Sequence, residues 1–295
     1  MNWFHHRILP ILVVVAAIFA LWYVGSIGLN ARWAYDKAKR AEISLSFSEM
    51  VADTWSQEKP KLPAPHQVAA EIWKTTGDMA INGRMFSKRS LIYHGWITLS
   101  ATVLGFVLGS ILGILLAVGI VHNRAMDMSV MPWIIASQTI PIIAIAPMVI
   151  VVLNAVGISG LLPKAIISMY LSFFPVVVGM VKGLRSADQM QIDQMRTWFA
   201  SRPQTFWKLR LPGSMPYLFT SLKVAMAAAL VGAIVAELPI NQNGGLGARM
   251  LVGSYYGQTI QIWSALIAAA VLAACLVALI GVIEAMTLRR MGMKR

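Results

Sequence analysis

Apolar runs of twenty residues or more recur along the chain, near residues 8–28, 96–121, 130–154, 163–184, 217–238 and 262–287. A bilayer core about 30 Å thick is crossed by about 20 residues of α-helix, so the pattern predicts an all-α integral membrane protein with about six transmembrane helices. The first run, Ile8 to about Gly28, is longer than the apolar core of a secretory signal. It also has no small-x-small cleavage site before Asn30, so it is expected to be a retained span. Composition supports the class: 58% of the 295 residues are hydrophobic and only 13% are charged, against about 25% charged in a soluble domain.

Six spans put both termini on one side, and the basic residues choose it. Arg124, Lys182, Arg185, Arg196, Arg202, Lys208 and Arg210 share a side with Arg289, Arg290, Lys294 and Arg295, against Lys164 and Arg249 in the short loops opposite. The positive-inside bias places both termini and residues 185–216 in the cytoplasm. The segment from Asn30 to about Gly95 carries ten basic and seven acidic residues, but a segment of this length translocates largely regardless of charge. It reads as an external linker with turn signals at Pro60, Pro63 and Pro65, followed by an amphipathic helix in "HQVAAEIWKTTGDM" with Val68, Ile72 and Met79 on one face. The expected organisation is a transmembrane helix at 1–29, the external segment at 30–95, a transmembrane core at 96–288 containing the loop 185–216, and a basic tail at 289–295. No internal repeat divides it.

Charge and side-chain chemistry exclude several functions. The formal net charge of +13 lies in loops between apolar runs, where it orients a membrane protein, so no nucleic-acid partner is expected. Cys275 is the sole cysteine, which rules out a disulfide within the chain and a cysteine metal site. His5, His6, His66, His94 and His122 are scattered without a metal-ligand spacing, and no catalytic constellation stands out. No Gly-Lys pair occurs, so the chain has no P-loop for ATP. No catalytic residue, metal or bound cofactor is expected.

The stretch "DQMRTWFASRPQTFWKLRLP", Asp193 to Pro212, is too polar to cross a bilayer. Ile192, Met195 and Phe199 fall at helical spacing with Trp198 beside them, while Asp193, Gln194, Arg196 and Thr197 face away. Pro203 and Pro212 are expected to punctuate the chain. Physics alone leaves two readings: a helix lying on the inner leaflet, or a docking element for a cytoplasmic partner, since Trp198, Phe199 and Arg196 are of types enriched at hot spots.

The spacing resembles the signature of permease subunits of ATP-binding cassette importers: Glu-Ala-Ala, three residues, Gly, nine residues, Ile, one residue, Leu-Pro. Asp193, Gln194 and Met195 occupy the first places, Phe199 the glycine place and Leu209 the isoleucine place, and Leu211 and Pro212 match. Phe199 is the departure, because the family's glycine supplies backbone freedom after the coupling helix. "LPAPHQVAAEIW", "SQTIPIIAIAPMVIVVLNAVGIS", "FPVVVGMVKGLRS", "MPYLFTSLKVAMAAALVGAIVAEL" and "GGLGARM" are similar, in order, to the nitrate, sulfonate and taurine branch, which also includes riboflavin and thiamine-pyrimidine precursor permeases. The resemblance implies the type I importer permease fold in a bacterial inner membrane. It also implies separate cytoplasmic ATPase subunits that use the ATP, a second permease copy or related permease, and an external solute-binding protein. Ile192, Asp193, Gln194, Met195, Arg196, Trp198, Phe199, Leu209, Leu211 and Pro212 would couple to the ATPase.

Pro141 and Pro147 are expected to kink the third span, either structurally or on the substrate path, with Gln138 and Thr139 as polar contacts. Glu237 ends the fifth span, where a charge is a functional candidate; because "ELPINQNGG" turns into a loop at once, Glu237 is expected first as a structural residue at the interface, bonded to nearby backbone amides. Gly244, Gly245 and Gly247 are expected to form an external turn, and Lys223 to snorkel to the cytoplasmic surface. The rival from another class is an ion-coupled secondary transporter, although the spans carry no carboxylate pair.

Overall fold

The computed structural model describes residues 9–42, 44, 46–239 and 244–293. The expectations on His5, His6, Ile8, Lys294, Arg295 and the middle of "ELPINQNGG" lie outside them. The described residues form helices without a strand. The chain divides into two compact units, Met1–Tyr93 with Arg249–Ala268, and His94–Ala248 with Ala269–Arg295.

The first unit is built on α1 (Leu9–Arg40), α2 (Phe47–Ser56), α3 (Pro65–Thr75) and α4 (Gly77–Ile81). Ile11, Leu21 and Val24 of α1 are 63%, 71% and 65% exposed, as a lipid-facing span requires. The helix does not stop near Gly28 as expected, because Asn30 and Ala34 carry it on against the following segment. Asn30 is fully buried; it accepts the amides of Lys61 at 2.8 Å and Leu62 at 3.2 Å and donates to the Leu62 carbonyl at 2.8 Å. Part of the expected linker is helix α2, opened by the Ser46 amide donating to Glu49 at 2.9 Å. The expected amphipathic helix breaks at Thr76: Val68 is buried in α3, whereas Met79 belongs to α4.

In the second unit α5 (Leu91–His122), α6 (Arg124–Ser137), α7 (Ile142–Ala155) and α8 (Leu161–Leu184) are followed by α9 (Gln189–Thr197) and α10 (Arg202–Thr205). A π-helical turn (Phe206–Arg210) then leads into α11 (Leu211–Glu237); α12 (Leu246–Tyr255) and α13 (Thr259–Arg290), whose residues Arg249–Ala268 belong to the first unit, complete the chain. Small residues let α8 pack closely on both sides. Cβ atoms added at Gly105, Gly109 and Gly113 of α5 would meet Ser168, Ser172 and Val176 of α8 at 2.4, 2.1 and 2.8 Å. Gly179 of α8 faces Ser221 of α11, and Gly232 of α11 faces Ser168, in the same way. The Ser168 hydroxyl donates across the pair to the Ala229 carbonyl at 2.7 Å.

The third span is broken rather than kinked. α6 and α7 meet at 98°, and Pro141 stands outside helix as the N-cap of α7. Pro lacks an amide donor and disfavours helix at the residue before it, so α6 ends at Ser137 and α7 starts afresh. Tyr170 of α8 donates to the Ser137 carbonyl, satisfying one group freed by the break. Five helices are long and apolar enough to span, or six with the bent pair. Because the α5 glycines and their α8 partners ascend together along the chain, these helices run parallel. The bent pair must therefore carry the chain back across, which makes six.

Pro203 opens α10, but Pro212 does not interrupt the chain: Arg202–Glu237 is continuous helix. The π turn, with the Leu211 amide donating to the Phe206 carbonyl, shifts the hydrogen-bond register just before the residue that has no donor. Lys223 does not snorkel; it pairs with Glu284 of α13.

Candidate functional site

α9 is a nine-residue element with defined ends. The Asp188 carboxylate accepts the Met190 amide at 3.2 Å and caps its start. At its other end the Phe199 amide donates to the Arg196 carbonyl at 2.9 Å and the Ala200 amide to the Met195 carbonyl at 3.0 Å. These two bonds form a Schellman motif, whose residue after the cap takes the left-handed conformation and is most often glycine. Phe199 holds that position with φ 53°, so the glycine place of the signature has a structural meaning that phenylalanine meets at a cost. Left-handed backbone costs a side-chain-bearing residue about 1–2 kcal/mol. Phe199→Gly is accordingly expected to stabilise this turn by about 1 kcal/mol, read as greater amide-exchange protection at Ala200. Unchanged or weakened protection would contradict the strain.

The strained residue is also the most exposed large apolar side chain among the described residues: Phe199 is 95% exposed and Trp198 68%, whereas Ile192 and Met195 are half-buried. Phe199 therefore does not lie on the apolar face with Ile192 and Met195 as its spacing suggested; the turn projects it off the helix end. Asp193 and Arg196 form an exposed pair at 2.9 Å, of little energetic value, and Gln194 is exposed beside them. The next helix follows at once, since the Ser201 amide donates to Gln204 at 2.8 Å in a reciprocal cap. Leu209, Leu211 and Pro212 are half-buried in the π turn and the first turn of α11. The signature's two ends thus differ in kind: one presents aromatics, the other is packed into helix.

The residues singled out for a path differ in exposure. Gln138 caps α6 and is half-buried, donating to the Ser137 hydroxyl at 3.4 Å, while Thr139, Pro141 and Pro147 are exposed at the break and on α7. Glu237 ends α11 and is fully buried, and its neighbour Ala236 packs with Ala146 and Ile150 of α7. The Glu237 carboxylate accepts the Thr98 hydroxyl at 2.9 Å and the Gly247 amide at 2.9 Å. Thr98 in turn accepts the Leu246 amide at 2.9 Å, and Lys164, 1% exposed, donates to the Gly244 carbonyl at 3.0 Å. The expected external glycine turn is instead packed onto this carboxylate. Gly245 has φ 120°, and a Cβ there would sit 2.1 Å from the Glu237 carboxyl carbon. Sequence reading placed Lys164 in a loop and did not see this network; the signal was the ten-residue spacing of Glu237 and Gly247, which only a folded-back chain brings together.

Residues 109–293 match the family described as the binding-protein-dependent transport system inner membrane component. That is more than half of the chain, and the chain belongs to this family. It is thus a multi-pass inner-membrane permease component of an ATP-binding cassette importer, as its resemblance implied. The formylaminopyrimidine transport permease ThiX of Halalkalibacterium halodurans is 35% identical over 54% of this chain and 63% of its own length. The riboflavin transport system permease RibX of Chloroflexus aurantiacus is 29% identical over 77% and 80%. A putative aliphatic sulfonates permease, SsuC of Bacillus subtilis, is 24% identical over 71% of each, and the nitrate import permease NrtB of Leptolyngbya laminosa is 25% identical over 74% and 76%. A chain of the MetNI methionine ABC transporter, solved in inward-facing conformations, shares the fold at a TM-score of 0.51 and 22% identity, covering 70% of this chain and 96% of that one.

Proposed function

We propose that this chain is the translocating subunit of a binding-protein-dependent importer, with its termini in the cytoplasm and α9 docked into a separate ATPase subunit. The observation that carries the docking is the α9 end: a capped helix, closed by a Schellman turn, that holds Trp198 and Phe199 in solvent. Exposed aromatics on a rigid support are what a partner's groove can grip. Closure of two ATPase subunits on ATP would bind two orientations of α9 unequally, and that difference is what shifts a path between two permease chains from outward to inward access. The short link from α9 through Ser201 into the continuous helix Arg202–Glu237 gives the movement a stiff route into a span. An external binding protein delivers the solute, and Gln138 and Thr139, freed at the break near Pro141 and Pro147, are the contacts we assign to its path.

For the solute we favour a pyrimidine or vitamin precursor over nitrate, a sulfonate or taurine. The higher identity to the formylaminopyrimidine and riboflavin permeases supports this order, as does a proposed path whose polar groups are a neutral amide and hydroxyl. The test is uptake of radiolabelled formylaminopyrimidine, riboflavin and taurine into proteoliposomes holding the permease, its ATPase and its binding protein. Uptake is expected to require internal ATP and to persist when ionophores collapse the proton and sodium gradients. Uptake that survives without ATP and ends with the gradient would instead identify an ion-coupled transporter.

A further inference from the structure

A groove behind α9 shares Ile192 and Arg196 with the expected coupling residues but lies apart from the exposed Trp198 and Phe199. It is a cavity of about 440 Å³ where the end of α5, α9 and the α10–π segment converge, a size in the range of about 300–1,000 Å³ typical of small-ligand sites. Arg196, Arg202, Arg210 and His122 line it, and Ile192 and Phe206 give it an apolar wall. No carboxylate lines it. Among the described residues Arg196 has Asp193 as an ion-pair partner, and Arg202 and Arg210 have none. Long basic side chains near a membrane usually reach outward to water; here three arginines line one concavity.

The groove also has a definite depth. The apolar run of α5 ends at His122, and the helix leading into α11 becomes apolar after Arg210. Trp207, 65% exposed, packs edge-on against Phe206 of the groove wall with ring centroids 5.4 Å apart, and indoles concentrate at lipid headgroups. Guanidinium groups bind phosphate through paired hydrogen bonds, and basic pockets between transmembrane helices accept anionic headgroups.

We propose that this groove binds the phosphodiester headgroup of an anionic phospholipid, with Arg202 and Arg210 as the phosphate ligands and Ile192 and Phe206 against the first carbons of the lipid. The lipid would brace the buried side of α9 against the helix that enters α11. The site does not depend on the docking reading, which concerns Trp198 and Phe199 at the helix end.

Native mass spectrometry of the full chain, titrated separately with phosphatidylglycerol, phosphatidylcholine and inorganic phosphate, tests it. Wild type is expected to bind phosphatidylglycerol about tenfold or more tightly than phosphatidylcholine, and Arg202→Gln/Arg210→Gln to lose that preference, since charge-assisted hydrogen bonds of this kind are each worth about a factor of ten. The wild-type preference stands without the variant should the variant fail to fold. Equal affinity for the two lipids overturns the proposal, as does full retention of phosphatidylglycerol by a folded variant. Displacement of the lipid by millimolar inorganic phosphate would make the ligand a free anion, and a variant that keeps its lipid but loses a co-purifying ATPase would make the groove a protein contact; either result refutes the lipid site.

Discussion

Glu237→Ala is expected to cost about 1–3 kcal/mol of stability, the range for leaving a buried polar group without its partner. The carboxylate is fully buried, holds Thr98 and the Gly247 amide, and faces the charge of buried Lys164. Alanine would leave the Gly247 amide without its acceptor, would take from Thr98 the carboxylate it donates to, and would open a void under Gly245. The cost is measurable as loss of thermal stability in detergent and as reduced recovery from membranes. Because the groups act together, Glu237→Ala in a Lys164→Met background is expected to cost at least about 1 kcal/mol less than in wild type. Strictly additive costs would show that the two charges do not support one another.

The second large effect is expected at the contact of α5 with α8. Gly109 lies against Ser172, and an added Cβ would also meet the Met169 carbonyl at 3.0 Å and the Phe173 amide at 3.2 Å. A leucine there cannot be accommodated by turning a side chain, because two of the opposing atoms are backbone. Overpacking costs about 1–3 kcal/mol, and Gly109→Leu is expected at the upper end, as a drop in melting temperature and in the folded fraction. Gly95, on the same helix, has open space around its Cβ direction. Gly95→Leu should be neutral or slightly stabilising, by no more than about 1 kcal/mol, through helix propensity alone. Equal damage at both positions would mean that the close approach of the helices is not what these glycines serve.

Much of this was legible from one sequence because the membrane imposes a length on apolar helices. The runs that give α5, α8, α11 and α13 were visible, as was a short helix ending near Trp198. What escaped notice depended on partners distant in sequence. α1 continues past its apolar run because Asn30 meets Lys61 and Leu62, and no local pattern announces that. α2 is a ten-residue helix within the stretch that reads as linker, and the Ser46 and Glu49 that open it are a short local signal beside the prolines that follow. Pro141 was seen, but a kink and a 98° break look the same in sequence; Tyr170 is what satisfies the broken end. The glycines after Glu237 read as a loop because glycine marks turns, whereas here they admit backbone to a buried carboxylate. Phe199 shows the converse: a residue that departed from the signature still occupies the glycine's conformation, because the Schellman hydrogen bonds fix the backbone whatever the side chain.

The central claim is that the α9 end grips a separate ATPase subunit. Purification of the tagged chain from its native membranes in mild detergent, beside a Trp198→Ala/Phe199→Asp variant, tests it most directly. Both positions are exposed, so the variant should fold and reach the membrane in normal amount. An ATPase subunit that accompanies the wild type and is lost from the variant is the predicted result. An ATPase retained equally by both, or absent from both while the chain is intact, would contradict the claim and leave α9 as a helix resting on the membrane surface.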